Sequence, residues 1–570
     1  MKLQQLVLLT MLVVVASAFS VSAATILINN IDDPGQGLND PTKVKPVGKN
    51  KGTTLGQQRL NVFNKAADIW GSTLNSNVTI WVQATFQDRG FTPCTPNSGV
   101  LGAAGTIQIF ANGPGVFWPN TWHHSALANK LAGTDLQPGS PDPGFLEPPF
   151  ADDIIAFFNP NLGTPNCLAT SSWYYGLDNQ APPGTIDLLN VVAHEFGHGL
   201  GFANFTSEAG SASAAPGSNP LGLPDVYTAY SHDNTTGKQW NQMSDAERAD
   251  SATNSGNLVW NGPDVVADAP NVLGPLEQLK FTAPPSLAGT VIEFGTASFG
   301  PVATPSNFFG EVVLANDGIG VTSDGCEPFV NASAISGRIA LIDRGTCAFV
   351  VKVKNAQNAG AKAAIIANNV VGGGAIGLGG SDATIVIPAI GISLETGNVI
   401  KANLPGVAVA ILQDPTRLAG ADDEGNVRLY APGTVAPGSS VSHWDTVATP
   451  NLLMEPFNTP DIRVIDTLDL TPSQMNDVGW SSQLSCPVNS DDSAIIQIGS
   501  CNTGVANDFG PFTVFPGGSG GQVFGGCTAS DIVNSCTDTS CLAQATSALR
   551  SAGVITDAEK EAIMACSGSL

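Results

Sequence analysis

The run His194-Glu195-Phe196-Gly197-His198-Gly199-Leu200-Gly201-Phe202 constrains this chain more than any other stretch. On an α-helix, residues four apart lie one turn above each other on the same face. His194 and His198 can therefore bring two imidazoles to one metal ion. Glu195 follows the first of them and points slightly aside, where a carboxylate can contact a water without ligating the metal. Leu189, Val192, Phe196 and Leu200 populate the opposite face and predict a helix anchored in the core. The pattern predicts a helix from Thr185, read as its N-cap, to about Leu200, with Gly201 closing it. Only six histidines exist in the chain, so two in this register favour a metal over a chance pairing.

A catalytic zinc site takes three protein ligands and keeps one position open for water. In the extended pattern with a glycine turn, the third ligand would fall at position 204, which here is Asn204. A neutral amide oxygen is a weak ligand for zinc, so Asn204 is not expected to bind. The Asn204-Phe205-Thr206 triplet also matches a glycosylation sequon. Four histidines remain. His123 and His124 read as surface residues beside Trp122, and His232 lies in a loop-like stretch. His443, in Ser442-His443-Trp444-Asp445, shortly precedes Leu453-Met454-Glu455-Pro456, a Met-to-Pro turn whose thioether can floor a metal site. His443 is the expected third ligand. Glu208 and Glu247 are the carboxylate alternatives, although Glu247 follows Ser244 at the spacing of a capping box.

The amino terminus reads as a secretory signal over residues 1–24: Lys2, an apolar Leu6–Phe19 core, then small residues before cleavage after Ala23 or Ala24. No later stretch is long and apolar enough to predict a transmembrane helix. All ten cysteines follow this segment, an even count suited to an oxidising compartment. Proximity predicts the pairs Cys94–Cys167, Cys326–Cys347 and Cys486–Cys501. The tail cysteines Cys527, Cys536, Cys541 and Cys566 read as further disulfides, since the tail holds no histidine for a metal. The formal net charge of −25 argues against nucleic-acid and anionic-membrane partners. The acidic loops suit Ca²⁺, but they contain no EF-hand pattern.

The segments alternate in texture. Thr25–Asn30 reads as a strand. Leu60, Phe63, Ala67 and Trp70 line one face of a helix, and Ile80, Val82, Ala84 and Phe86 alternate as a strand. Short strands are expected at Thr106–Phe110 and Ile154–Phe158. Residues 205–283 read as mostly long loops. Within residues 284–415, buried strands at Ile339–Ile342 and Ala363–Ile366 flank a helix at Phe349–Ala359, which marks a compact α/β domain. A helix is expected at Thr471–Val478, followed by Trp480, and a Cys-rich region fills 485–570.

Two resemblances follow from these residues. The His194–Phe202 run, the distant Ser442-His443-Trp444 and Leu453-Met454-Glu455-Pro456 together resemble the metzincins, specifically leishmanolysin-like peptidases. That similarity implies Zn²⁺ held by His194, His198 and His443, Glu195 as catalytic base, and Met454 as the Met-turn residue. Cys326-Glu327-Pro328, Ile342 through Phe349, Lys352–Gly360 and Ile387 through Ile392 resemble protease-associated (PA) domains, small α/β units without catalytic residues that are proposed to gate or bind substrate. Asp343 and Arg344 then read as a charge-braced turn. The expectation is an α+β, metzincin-like catalytic domain split into residues 25–283 and 416–484 around the PA insertion. Its activity would be that of a secreted (extracellular or periplasmic) zinc endopeptidase acting on proteins or peptides. The alternative is a secreted binding or adhesion protein built on an inactive scaffold.

Overall fold

The fold is that of a computed structural model. It describes residues 23–480 except 91, 113–117, 119, 146 and 207–221, together with 495–506, 512–516, 522–524, 555–569 and scattered positions between 530 and 550. The expected signal segment lies outside the described residues up to position 22. The chain forms two compact units, one of 1–272 with 426–570 and one of 273–425.

In the first unit, β1 (Ile26–Asn30) leads to α1 (Leu55–Thr73), and β2 (Ile80–Thr85) follows. The Thr54 hydroxyl caps α1 by accepting the Gln57 N–H at 3.2 Å. Val62, Phe63, Ala66, Ala67 and Trp70 form its buried stripe, wider than predicted, while Leu60 is only half-buried. The chain continues through β3 (Gly102–Thr106), β4 (Gln108–Ala111), β5 (Trp122–His124), α2 (Ser125–Ala132) and β6 (Ile154–Phe158). Strands pair in the order β1-β2-β6-β3, parallel except for β3, which runs antiparallel at the edge. Gln83 and Thr85, which alternate with the apolar residues of β2, are buried as well. Their side chains are satisfied there, Gln83 by the Gly144 carbonyl at 3.1 Å and Thr85 by Asp32 at 2.5 Å.

Strands β7 (Ser172–Tyr174) and β8 (Thr185–Asp187) pair in parallel just before α3 (Leu188–Leu200). The expected cap at Thr185 is corrected: Thr185 Oγ1 donates to the Pro182 carbonyl at 2.6 Å, and Asp187 caps α3 by accepting the Leu189 N–H at 3.0 Å. Leu189, Val192, Phe196 and Leu200 are fully buried, and Trp70 Nε1 donates to the Ala193 carbonyl at 2.9 Å, tying α3 to α1. Gly201, at φ +147°, ends the helix.

The reading of 205–283 as loops is corrected for the described part. It holds β9 (Ser231–Asp233), β10 (Lys238–Gln239), α4 (Asp245–Ser251), β11 (Leu258–Trp260) and α5 (Pro263–Val272). Strands of two or three residues are too short for periodicity to reveal them. The predicted capping box is present: Ser244 and Glu247 exchange bonds at the start of α4.

The second unit is an eight-stranded sheet with β12 (Pro275–Ala283), β13 (Val291–Ile292), β14 (Gly295–Thr296), β15 (Phe309–Leu314), β16 (Ile339–Asp343), β17 (Ala363–Ala367), β18 (Ala389–Ile392) and β19 (Ala408–Leu418). It begins before position 284, because β12 pairs antiparallel along β19. Strands β15 to β18 are parallel. Side chains alternate between two cores: Ile339 and Leu341 enter one, Ala340 and Ile342 the other. The Cys326–Cys347 disulfide forms as predicted. Asp343 pairs with Lys401 at 2.5 Å, which fits a charge-braced turn.

After the second unit, Val427–Arg428 pairs antiparallel with β11, and the helix Thr471–Val478 forms as expected. Cys94–Cys167 forms, but Cys501 bonds Cys566, so the expected Cys486–Cys501 pair is corrected. The capped helix Asp557–Ala565 returns the chain beside Cys501, whereas Cys486 lies outside the described residues. No helix among the described residues is long and apolar enough to cross a membrane.

Candidate metal centre

Helix α3 presents His194 and His198 one turn apart, and the turn after Ser442 brings His443 to them. His198 Nε2 lies 3.1 Å from His194 Nε2 and 3.2 Å from His443 Nε2. Each Nδ1 faces a backbone carbonyl: Leu453 at 2.6 Å for His194, Phe202 at 2.7 Å for His198, and Ser439 at 2.8 Å for His443. A carbonyl only accepts, so each Nδ1 carries the proton and each Nε2 keeps a lone pair. Three lone pairs then converge in a buried space, where neutral imidazoles alone would repel. Burial holds the three side chains well below ordinary histidine basicity, His194 at about 4 and His198 at about 3. Tetrahedral zinc with bonds of about 2.0–2.1 Å needs donors roughly 3.3 Å apart. The observed spacing fits that ion, and the carbonyls fix the ring orientations as outer-shell partners do in zinc proteins.

Glu195 is buried beside this group and accepts the Ala104 N–H of β3. Loss of hydration pushes its carboxyl up to about 8. β3 can approach so closely because position 102 is glycine: a methyl there would lie 3.1 Å from Glu195 Cγ and 2.9 Å from Phe158 Cδ1. Met454 is fully buried under α3, and a methyl at position 197 would lie 2.7 Å from its Sδ. The turn that supplies Met454 also supplies the Leu453 carbonyl to His194, and the Met454 carbonyl accepts the Trp444 N–H at 2.9 Å. At the far end of α3, Trp480 Nε1 donates to the Leu200 carbonyl at 2.9 Å, satisfying one orphan acceptor of the helix terminus.

The other expected residues are placed as follows. Asn204 binds Ser442 instead of joining the histidines: its backbone N and Nδ2 reach Ser442 Oγ at 3.3 and 3.2 Å. Glu247 pairs with Lys238 at 2.5 Å, and Glu208 lies outside the described residues. His232 sits in β9, apart from the triad. The surface reading of His123 and His124 is corrected, since both are fully buried in β5, where Phe205 packs 4.6 Å from the His124 ring. A second acidic group, Asp317, Asp324 and Glu327, is the only other metal-sized cluster among the described residues. Buried Lys352 donates to the Asp324 carbonyl and supplies a cation there, so the cluster is no argument for Ca²⁺. The Asn204–Ser442 pair, Gly102 and Ala104 escaped the sequence reading. Only Gly197 left a signal, as a glycine inside a helix that pays for itself elsewhere.

The triad opens onto a cavity of about 1020 Å³. Gly102, Ala103 and Ala104 of β3 line it together with Ser442, Leu453 and Glu455.

Comparison with known proteins bears on the inserted unit. Residues 308–400 match the PA domain model, so a PA domain is present. The matched segment lies between His198 and His443 and contains neither. Receptor homology region, transmembrane domain- and RING domain-containing protein 1 of Oryza sativa subsp. japonica is 41% identical over 107 residues, 18% of this chain and 19% of that protein. Probable leucine aminopeptidase 2 of Aspergillus fumigatus is 38% identical over 82 residues, 14% of this chain and 16% of that protein. The chain thus spans less than a fifth of either relative. Among solved structures, a zinc aminopeptidase from Bacillus subtilis aligns at TM-score 0.19 and 22% identity, covering 26% of this chain and 36% of that one. An aminopeptidase from Aneurinibacillus sp. strain AM-1 aligns at TM-score 0.18 and 21% identity, covering 33% and 42%.

Proposed function

We propose that this chain is a secreted zinc-dependent endopeptidase with a leishmanolysin-like, metzincin organisation. The observation that carries the reading is the convergence of three Nε2 lone pairs from His194, His198 and His443 beside Glu195 in an open cavity. Held by His194, His198 and His443, zinc would supply Lewis-acid chemistry for a peptide carbonyl and for an attacking water. Glu195 would serve as the base that takes a proton from the attacking water and later delivers it to the leaving amine. The Ala104 N–H holds its carboxylate in position for both transfers. β3, an edge strand lining the cavity, offers its backbone to an extended peptide, which favours attack within chains. Met454 acts from beneath, by fixing the helix turn that carries both histidines. The leader-like sequence of residues 1–24 and the cystines support export from the cytoplasm.

Casein hydrolysis by the purified chain, abolished by a chelator and restored by zinc, tests the reading. A protein that binds zinc but cleaves nothing would favour the second reading, a binding protein that works through its PA domain.

A further inference from the structure

The cavity contains a carboxylate that the proposed chemistry does not use. Glu455, next to Met454, lines the cavity yet is only 3% exposed. Its Oε1 accepts the Leu452 N–H at 2.9 Å, while Oε2 has no hydrogen-bond partner among the described residues. No ion pair among the described residues includes it. The charges that bear on it are Asp461, Asp469 and Asp445, all acidic. Asp461 is engaged by Asn451 at 2.9 Å and Asp469 by Thr471 at 3.1 Å, and Arg428 is the cation that bears on Asp445. These carboxylates do not converge as a metal-sized group. A buried acid with one free oxygen, in a negative field and on the wall of a cleft, lacks a cationic partner. The same cavity is also lined by Ile186, Val191 and Ile462, apolar side chains against which an alkyl stem that ends in charge can pack.

We propose that Glu455 is the specificity carboxylate of this cleft and seats the cationic end of a substrate lysine or arginine. The proposal rests on the peptidase reading above. Bracing the Leu452–Glu455 turn needs only one carboxylate oxygen, and a glutamine serves that purpose equally well. The free oxygen is what the turn leaves unexplained.

The test uses the zinc-loaded full chain and matched peptides that carry lysine, arginine, norleucine or glutamate at each position flanking the cleaved bond. The wild type is expected to favour lysine or arginine over norleucine at one position by about 10- to 100-fold in kcat/KM. In E455Q that ratio falls to near one, E455D retains part of it, and E455K moves the preference to glutamate. The absence of a cation preference in the wild type overturns the proposal, and so does an unchanged ratio in E455Q. If the wild type cleaves none of the peptides, the peptidase reading itself fails.

Discussion

Single atoms set the terms at the metal centre. Three imidazole Nδ1–H groups are committed to backbone carbonyls, so in the proposed reading His443 supplies the third protein ligand for zinc, while Asn204 serves Ser442 instead. His443→Ala should lose bound zinc and hydrolysis together, whereas Asn204→Ala should keep its zinc, as read by metal analysis of the dialysed proteins. Glu195→Gln should retain zinc and lose activity by about 100-fold or more, the scale of a missing general base; undiminished turnover would sink the proposed mechanism. Gly197 is decided by contact distance. Gly197→Ala places a methyl against Met454 Sδ and should lower stability by about 1–3 kcal/mol through overpacking. Calorimetry checks that value, and equal stability would mean that the sulfur can move aside.

Among the elements, α3 was legible because its apolar face and its paired histidines both repeat at helical spacing. Its start was misplaced by two residues: Thr185 and Asp187 are both good caps, and only the β7–β8 pairing decides between them. His443 was found by its nearness to the Met454 turn, yet nothing in the sequence shows that Leu453 would present a carbonyl to His194. The strands β5, β9 and β11, three residues each, are shorter than any detectable period, which is why His123 and His124 were read as exposed. β3 was hidden for another reason. Gly102-Ala103-Ala104-Gly105 has little strand propensity and owes its conformation to pairing with β6. Small residues there let the strand reach Glu195. Gly102→Val should therefore weaken catalysis more than zinc binding, measured as kcat/KM against zinc content.

Over the whole molecule, buried acids predict how stability responds to pH. Burial raises Asp153 to about 8 and Asp469 to about 7, each above its unfolded value near 4. The folded chain thus holds protons that the unfolded chain has released. Stability from these groups is complete below about pH 4 and is lost as pH rises toward about 8. Thermal unfolding of the metal-free protein should give a lower midpoint at pH 9 than at pH 6, and the reverse order would show these sites to be better solvated than their burial indicates. His198 on α3 and His443 are 245 residues apart in sequence, with the PA unit between them. Ribosomes add roughly 5–20 residues per second, so roughly 10–50 s separate the synthesis of His198 from that of His443. A nascent or truncated chain that ends inside the insertion holds two of the three histidines. The insertion thus acts as a delay line, and a complete histidine triad certifies that translation has passed it.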